Sequence, residues 1–250
     1  MDKTCIITGA SRGIGRAIAI TLSMRDDIQN FILISRSEDG LKETASLMNN
    51  RKNVEIHAID LTNYEDVKEL ITNVGNRYGS IDFLLNVAGY ANPKALLETT
   101  IEDWETTYKI NVHSIFLITR EVVRIMKATG GKILNVASTA GSSARPGWLA
   151  YASSKAAVIS MSQTLSEELS EYGIQVYCIS PGRCATELRR VLAPDEDQTT
   201  IMQPEHVSAV VDHLLSDAGL CLDGQNIIVR KQILPQLNIG SVQKVNPAVR

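Results

Sequence analysis

The sequence has few aromatic residues, little net charge and no long apolar run. Lys plus Arg number 25 against 28 Asp plus Glu, which leaves a net charge of −3, and 5% of the 250 residues are aromatic. A general nucleic-acid binder would carry a basic excess, and this balance also gives no electrostatic reason to bind an anionic membrane. No apolar run approaches the ~18 residues of a membrane-spanning helix. We therefore expect neither nucleic acid nor membrane among the partners.

Cysteine and histidine are scarce as well, and their positions fit no metal site. The four cysteines, Cys5, Cys178, Cys184 and Cys221, form no C-x-x-C pair and no pattern shared with the histidines. They are typical of reduced thiols in an intracellular protein, and no metal is expected. The chain enters an apolar run at residue 4, which leaves no room for a signal peptide. The sequence predicts a cytoplasmic protein.

Short apolar runs alternate with stretches of helical periodicity, and this alternation predicts the fold. Strands are predicted at residues 4–8, 31–35, 54–59, 81–86, 132–137, 174–180 and 226–229. Helices are predicted at residues 14–24, 41–48, 65–77, 104–129, 151–172 and 204–215. The pattern indicates an α/β fold with a doubly wound, Rossmann-type parallel sheet of about seven strands and helices on both faces. Residues 1–232 are predicted to form a single domain, and residues 233–250 a C-terminal tail.

A glycine-rich turn, Thr8-Gly9-Ala10-Ser11-Arg12-Gly13-Ile14-Gly15, connects the first predicted strand to the first predicted helix. Its glycines let the backbone approach an anion, and the helix N-terminus supplies N–H groups and partial positive charge. Together they suit the pyrophosphate of a dinucleotide. Glycines also occur in such turns for packing alone, so both interpretations stay open.

The same turn matches the G-x-S-x-G nucleophile elbow of α/β-hydrolases. That elbow needs several strands before it, and an acid and a histidine after it. Here one predicted strand precedes Ser11, and His206 and His213 lie on a predicted helix with no further signal around them. A hydrolase is therefore the weaker alternative.

Tyr151 and Lys155 are four residues apart, so a helix places them on one face, one turn apart. Tyrosine has an unperturbed pKa of ~10, and a neighbouring cation lowers that pKa by favouring the phenolate. Ser138 follows a predicted strand and lies at its carboxyl end, where open α/β sheets bind ligands. A Tyr and a Lys on an exposed helix would have the same spacing, so this pair indicates a catalytic site only in combination with the other motifs.

In this order and spacing, the motifs resemble those of the short-chain dehydrogenase/reductase family, in its single-domain branch. The resemblance covers positions 1 to about 230. It rests on the glycine turn, Asp60, Asn86-Val87-Ala88-Gly89, Asn111, Ser138, residues 151–155 and Pro181-Gly182. The segment around Asn111 and the Tyr-Ala-Ser-Ser-Lys stretch are most similar to 3-oxoacyl-acyl-carrier-protein reductases.

The resemblance implies an oxidoreductase that reduces a small carbonyl compound by hydride transfer from a nicotinamide. It implies that Tyr151 is the acid and base, that Ser138 binds the carbonyl oxygen, and that Lys155 tunes Tyr151 and binds the nicotinamide ribose. It also implies that Asn111 makes a local kink in its helix and holds a water joined to Lys155. A homodimer or homotetramer, built on the helices at 104–129 and 151–172, is implied in the same way.

The resemblance also assigns the cofactor site. Its residues are Gly9, Ser11, Arg12, Gly13, Ile14, Gly15, Arg36, Asp60, Leu61, Asn86, Ala88, Gly89, Tyr151, Lys155, Pro181, Gly182 and Thr186. Arg36 stands where an NAD enzyme has an acid for the ribose 2′-OH, and a guanidinium there suits a 2′-phosphate. With Arg12 in the turn, it predicts NADP(H). Glu38 and Asp39 are expected to open the next helix and point away, and Asp60 is explained equally well as a helix cap.

The sequence leaves the substrate open. A short lid is predicted over residues 183–203, with a helix at 186–191, and Trp148 and Arg145 are expected at the pocket wall and rim. Arg183, Arg189 and Arg190 would suit an acyl carrier protein or a phosphorylated or carboxylated small molecule. The alternatives are a general carbonyl reductase, a 3-oxoacyl thioester reductase, and a reductase of a sugar, polyol or phosphorylated ketone. A catalytically silent NADP-binding sensor is the alternative from another class.

Overall fold

The computed structural model describes residues 2–231, and these residues contain a seven-stranded sheet in which all neighbouring strands are parallel. The strands are β1 (Lys3–Thr8), β2 (Ile28–Ser35), β3 (Asn53–Ala58), β4 (Phe83–Asn86), β5 (Gly131–Val136), β6 (Ile174–Pro181) and β7 (Asn226–Val229). Their order across the sheet is β3-β2-β1-β4-β5-β6-β7. This order reverses direction between β1 and β4, which is the doubly wound Rossmann arrangement, so the predicted fold class is confirmed.

Helices cover both faces of the sheet. In the described part of the chain they are α1 (Gly13–Leu22), α2 (Glu38–Leu47), α3 (Tyr64–Tyr78), α4 (Ile101–Tyr108), α5 (Ser114–Met126), α6 (Leu149–Leu169), α7 (Glu187–Leu192) and α8 (Pro204–Leu215). One apolar cluster joins the sheet to α1, α2 and α8, and a second joins it to α3, α5 and α6. Neighbouring strand residues alternate between the clusters: Ile7 belongs to the first and Ile6 to the second, and both are fully buried. Strands buried on both faces explain why the sequence shows continuous apolar runs.

The structure divides the helix predicted over 104–129. Between α4 and α5 the chain makes a π-helical segment, Lys109–His113. Asn111 lies buried in it, and its side chain donates to the Tyr90 carbonyl at 2.8 Å and to Ser154 Oγ at 3.0 Å. It also accepts from the Tyr90 N–H at 2.7 Å. A single regular helix was therefore the wrong prediction, whereas the local kink implied at Asn111 is present, because these contacts hold the segment in its wider turn.

Local capping residues fix both ends of α3. The Asn63 side chain accepts from the Glu65 N–H and caps α3. The same helix ends at Gly79, in the left-handed conformation with φ of 77°.

Two predictions depend on the chain ends. The tail predicted over 233–250 lies outside the described residues, and a single domain over 1–232 stays a prediction. Within residues 2–231 no helix is long and apolar enough to cross a membrane.

Candidate functional site

A cleft of about 1140 Å³ runs along the carboxyl ends of the strands, at the reversal of strand order between β1 and β4. Helices leave the sheet towards opposite faces on the two sides of this point, which opens a crevice there. Most residues predicted from the sequence line the cleft: Gly9, Ser11, Arg12, Gly13, Ile14, Gly15, Arg36, Asp60, Leu61, Ala88, Gly89, Ser138, Tyr151, Lys155, Pro181, Gly182 and Thr186. Asn86 and Asn111 do not line it.

The glycine turn brings the start of α1 to one end of the cleft. Gly9 has a φ of 66°, and a Cβ on it would lie 2.8 Å from the Ala88 backbone nitrogen. A Cβ on Gly15 would lie 2.2 Å from the Gly9 carbonyl oxygen. Packing therefore requires both glycines. Within the described chain no side-chain cap is formed at the start of α1, and its first turn holds no acidic residue. The N–H groups of this turn and the positive end of the helix dipole fit a pyrophosphate, so packing and anion binding both apply.

Tyr151, Ser138 and Lys155 meet at the other end of the cleft. Tyr151 and Lys155 project from α6, and Ser138 follows β5, where its hydroxyl is close enough to act on the pKa of Tyr151. Lys155 is buried, and its Nζ donates to the Val136 carbonyl at 2.8 Å. The Nζ lies 5.9 Å from the centroid of the Tyr151 ring. The sequence prediction that these three residues meet is consistent with this geometry, although Lys155 bonds to the backbone of β5.

Burial is the largest cause of the pKa shifts of Tyr151 and Lys155. It raises the pKa of Tyr151 above its ordinary value, while the nearby Ser138 hydroxyl and the charge of Arg145 act to lower it. This direction is opposite to the one expected from a neighbouring cation, because desolvation of the phenolate is the larger effect. Burial also lowers the pKa of Lys155 to about 8. Both shifts favour the uncharged forms of the two groups.

Asn86 and Asn111, which were both predicted as site residues, lie outside the cleft lining and contact the residues around it. Asn111 connects the Tyr90 backbone to Ser154, the residue before Lys155. A Cβ on Gly89 would lie 3.5 Å from Lys155 Nζ and 3.7 Å from Asn111 Oδ1, so both groups approach the same glycine. Asn86 Nδ2 donates to Asn135 Oδ1 at 2.8 Å and to a threonine of α5. The side chain of Asn86 therefore joins β4 to its neighbours and does not reach the cleft.

The end of the cleft beside α1 carries both basic and acidic residues. Arg36 is exposed there, and Arg12 forms an ion pair with Glu187, the first residue of α7. Asp39 also lines the cleft, so the expectation that it points away is wrong; Glu38, which pairs with Lys42, does not line it. Asp39 opens α2 beside Arg36, and the first turn of a helix favours an acid there.

Asp60 is held by a local turn. Its Oδ1 accepts from the Thr62 N–H at 2.9 Å, in the turn before α3, so Asp60 is not the helix cap that the sequence allowed; that cap is Asn63. Burial acts to raise the pKa of Asp60, but hydrogen bonds from Thr62 and the charge of Arg36 lower it overall. The side chain therefore has a structural role and also lines the cleft near Arg36.

The lid begins with a capped helix. Thr186 Oγ1 accepts from the Arg189 N–H at 3.2 Å and caps α7, which matches the helix predicted at 186–191. Arg183 and Arg189 both bind Glu196, at 3.0 and 2.5 Å. The Glu196 carboxylate therefore forms ion pairs with two of the three arginines that the sequence analysis considered for binding an anionic substrate.

Sequence reasoning missed several contacts of the site. Thr8 Oγ1 accepts from the N–H groups of Val87 and Ala88, which fixes the end of β4 to the end of β1. Tyr90 lines the cleft, and its position directly after Gly89, a predicted cofactor-site residue, could have predicted this. Glu187 gave no signal, because Arg12 stands 175 residues earlier in the chain.

The described residues of the cleft do not complete a hydrolase site around Ser11. None of the described residues that line the cleft is a histidine, so Ser11 lacks a general base there. No group of three or more His, Cys, Asp or Glu residues that could hold a metal ion occurs within residues 2–231.

Comparisons with known proteins identify the family of the chain. The family model described as short chain dehydrogenase matches residues 3–197. An NAD-dependent glycerol dehydrogenase of Listeria innocua is 33% identical over 238 residues, covering 91% of this chain and 92% of that protein. A 3-oxoacyl-[acyl-carrier-protein] reductase of Thermotoga maritima is 32% identical over 236 residues, covering 90% and 95%.

Solved structures share the fold. Levodione reductase matches with a TM-score of 0.84 at 23% identity, covering 92% of this chain and 96% of that one. A citronellol catabolism dehydrogenase of Pseudomonas aeruginosa matches with a TM-score of 0.79 at 28% identity, covering 92% and 94%. The chain therefore belongs to the short-chain dehydrogenase family of oxidoreductases, which use a nicotinamide cofactor.

Proposed function

We propose that the protein is an NADP(H)-dependent reductase of a small carbonyl compound, with Tyr151 as the proton donor. The observation that carries this proposal is that Tyr151 and Ser138 line one end of a long cleft together, with the buried Lys155 beside Tyr151. The other end presents the uncapped start of α1 and the exposed Arg36. A carbonyl compound and a dinucleotide would thus meet within one cavity.

The side chains suit reduction of a carbonyl group. The nicotinamide, when bound, supplies a hydride to the carbonyl carbon. Ser138 and Tyr151 donate hydrogen bonds to the carbonyl oxygen as negative charge develops on it. Because burial raises the pKa of Tyr151, the phenol keeps its proton at neutral pH and can deliver it to that oxygen. Lys155 borders Tyr151 from the protein interior, and Asn111 positions the turn of α6 that carries it.

The proposed cofactor is NADP(H), on the strength of Arg36 and Arg12. Both guanidinium groups line the cleft where a 2′-phosphate would bind. Two acidic groups oppose them: Asp39 lines the same region, and Glu187 pairs with Arg12. The Listeria innocua relative is an NAD-dependent enzyme. We favour NADP(H) because Arg36 forms no ion pair with another described residue, so its charge is available to a phosphate.

A homodimer or homotetramer is proposed from the family and from the surface of α5 and α6. Phe116 projects from α5 with 51% of its surface exposed. Ala156 and Ser160 are exposed on α6, and Ile159 is half-buried between them. An exposed aromatic residue on one helix and small exposed side chains on the other suit packing against helices of a second copy.

A panel of carbonyl compounds tests the reaction. NADPH oxidation is followed by the loss of nicotinamide absorbance with ketones, sugar ketones and 3-oxoacyl thioesters, and each compound is also assayed with NADH. We expect turnover of at least one ketone with NADPH. Preferred turnover of a thioester would select the 3-oxoacyl reductase, the activity named for the Thermotoga maritima relative. Cofactor binding without turnover of any compound would favour the silent sensor.

A further inference from the structure

The part of the cleft that would receive the substrate is rich in basic residues. We define this substrate end by the cleft-lining residues within 89–91, 136–155 and 181–192. It contains five cationic side chains: Arg145, Lys155, Arg183, Arg189 and Arg190. Glu187 is the one acidic residue of the described chain that lines this end, and it pairs with Arg12.

Three of the five cations already have partners within the protein. Arg183 and Arg189 share Glu196. Lys155 is buried and donates to the Val136 carbonyl. Arg145 and Arg190 are exposed, and within residues 2–231 neither of them forms an ion pair. These two guanidinium groups are therefore the candidates for binding an anionic group of the substrate.

Arg145 is the one that is fixed beside the reacting groups. Its Nη2 donates to Thr139 Oγ1 at 3.2 Å, and Thr139 directly follows Ser138. The Arg145 carbonyl accepts from the Trp148 N–H at 3.1 Å, and the Trp148 ring packs edge-on against Tyr151 with centroids 5.6 Å apart. The charge of Arg145 also acts on the pKa of Tyr151. Arg190 has no comparable contact with Ser138 or Tyr151 among the hydrogen bonds of the described chain.

We infer that the substrate is an anionic ketone, whose carboxylate or phosphate binds Arg145 while its carbonyl binds Ser138 and Tyr151. The inference rests on the proposed reductase function. One N–H of the guanidinium is used by Thr139, and the remaining donors can bind two oxygens of one anion. Trp148 and Leu188 line the same end and offer apolar surface to the carbon chain.

The anionic group takes no part in the bond changes. The carbonyl carbon receives a hydride, the carbonyl oxygen receives the Tyr151 proton, and the cofactor is oxidised. Arg145 therefore determines specificity and orientation, and its removal is expected to affect anionic substrates selectively.

Matched pairs of ketones test the inference. NADPH oxidation is measured with 2-, 3- and 4-oxo acids against their methyl esters, and with dihydroxyacetone phosphate against dihydroxyacetone. The wild type is expected to favour the anionic member of at least one pair by 10-fold or more in kcat/KM. The acid pairs and the phosphate pair show separately which anion is recognised.

Two variants identify the residue responsible. Arg145→Gln is expected to lower kcat/KM for the anionic member roughly 10- to 100-fold, as loss of hydrogen bonds to a charged group does. The ratio of kcat/KM between the anionic and the neutral member should fall with it, and Arg145→Lys should recover part of that ratio. Arg190→Gln is the matched control and should leave the preference intact. The dissociation constant of NADPH checks that each variant retains its fold.

The outcomes separate the inference from the proposed function. Equal use of esters and acids by the wild type, or turnover of neutral ketones alone, would overturn the inference and leave the reductase standing. Loss of the preference in Arg190→Gln but not in Arg145→Gln would also overturn it. If the wild type reduces no ketone at all, the proposed function fails, and the inference fails with it.

Discussion

Replacing Lys155 by Met is predicted to stabilise the cofactor-free protein, although Lys155 belongs to the proposed catalytic group. The side chain is 3% exposed, and burial lowers its pKa from 10.5 to about 8. One pKa unit corresponds to about 1.4 kcal/mol, so burying the ammonium costs about 3 kcal/mol at pH 7. The hydrogen bond to the Val136 carbonyl offsets about 1 kcal/mol of that cost. Met has a similar length and no charge, so Lys155→Met should raise the free energy of unfolding by about 2 kcal/mol.

The pH dependence of this difference follows from the direction of the pKa shift. Below pH 8 the ammonium is protonated in both the folded and the unfolded chain, so the cost of burial is fully present. Between about pH 8 and 10.5 the folded chain releases the proton while the unfolded chain keeps it, and stability rises with pH. In this range the free energy of unfolding of the wild type should therefore rise relative to that of Lys155→Met by up to about 1.4 kcal/mol per pH unit.

Urea denaturation at pH 7, 8, 9 and 10 measures both effects. Lys127→Met serves as the matched control, because Lys127 is exposed at the end of α5. The difference in free energy of unfolding between the wild type and Lys127→Met should stay constant from pH 8 to 10. The reasoning is refuted if Lys155→Met is less stable than the wild type at pH 7, or if the difference between them is the same at every pH.

Three further predictions concern the cofactor and the assembly. Arg36→Asp should weaken NADPH binding by roughly 10- to 100-fold and leave NADH binding nearly unchanged, measured by fluorescence titration; equal affinities of the wild type for both cofactors would contradict the assignment. Glu187→Gln should tighten NADPH binding up to about 5-fold, because it releases Arg12 from an exposed ion pair of at most about 1 kcal/mol; Glu196→Gln, which leaves Arg12 paired, is the control, and an equal effect there would count against this reason. Light scattering at micromolar concentration should give the mass of a dimer or tetramer, and a monomer mass would exclude the proposed assembly.

The sheet could be predicted from the sequence because its strands are buried on both faces. Ile6 and Ile7, like Leu84 and Leu85, face opposite apolar clusters, and such pairs produce the continuous apolar runs that mark a parallel strand. The glycine turn and the Tyr151 to Lys155 spacing were predictable for a related reason. Both are set by contacts between residues close together in the chain.

Other features depend on contacts between distant segments, and no local pattern encodes them. The π-helical segment at Asn111 is held by Tyr90 and Ser154, which lie 21 and 43 residues away. The pairing of Arg12 with Glu187 arises because the lid folds back over the glycine turn. The raised pKa of Tyr151 in the cofactor-free chain is a further example, since its burial depends on the whole cleft and not on the spacing to Lys155.

The central claim is that Tyr151 donates the proton in carbonyl reduction. The most direct test compares wild type and Tyr151→Phe, with NADPH and the ketone that the wild type reduces fastest. Removing a general acid is expected to lower kcat by roughly 10²- to 10⁴-fold, while the dissociation constant of NADPH stays close to that of the wild type. Reductase activity near the wild-type rate in Tyr151→Phe would contradict the account.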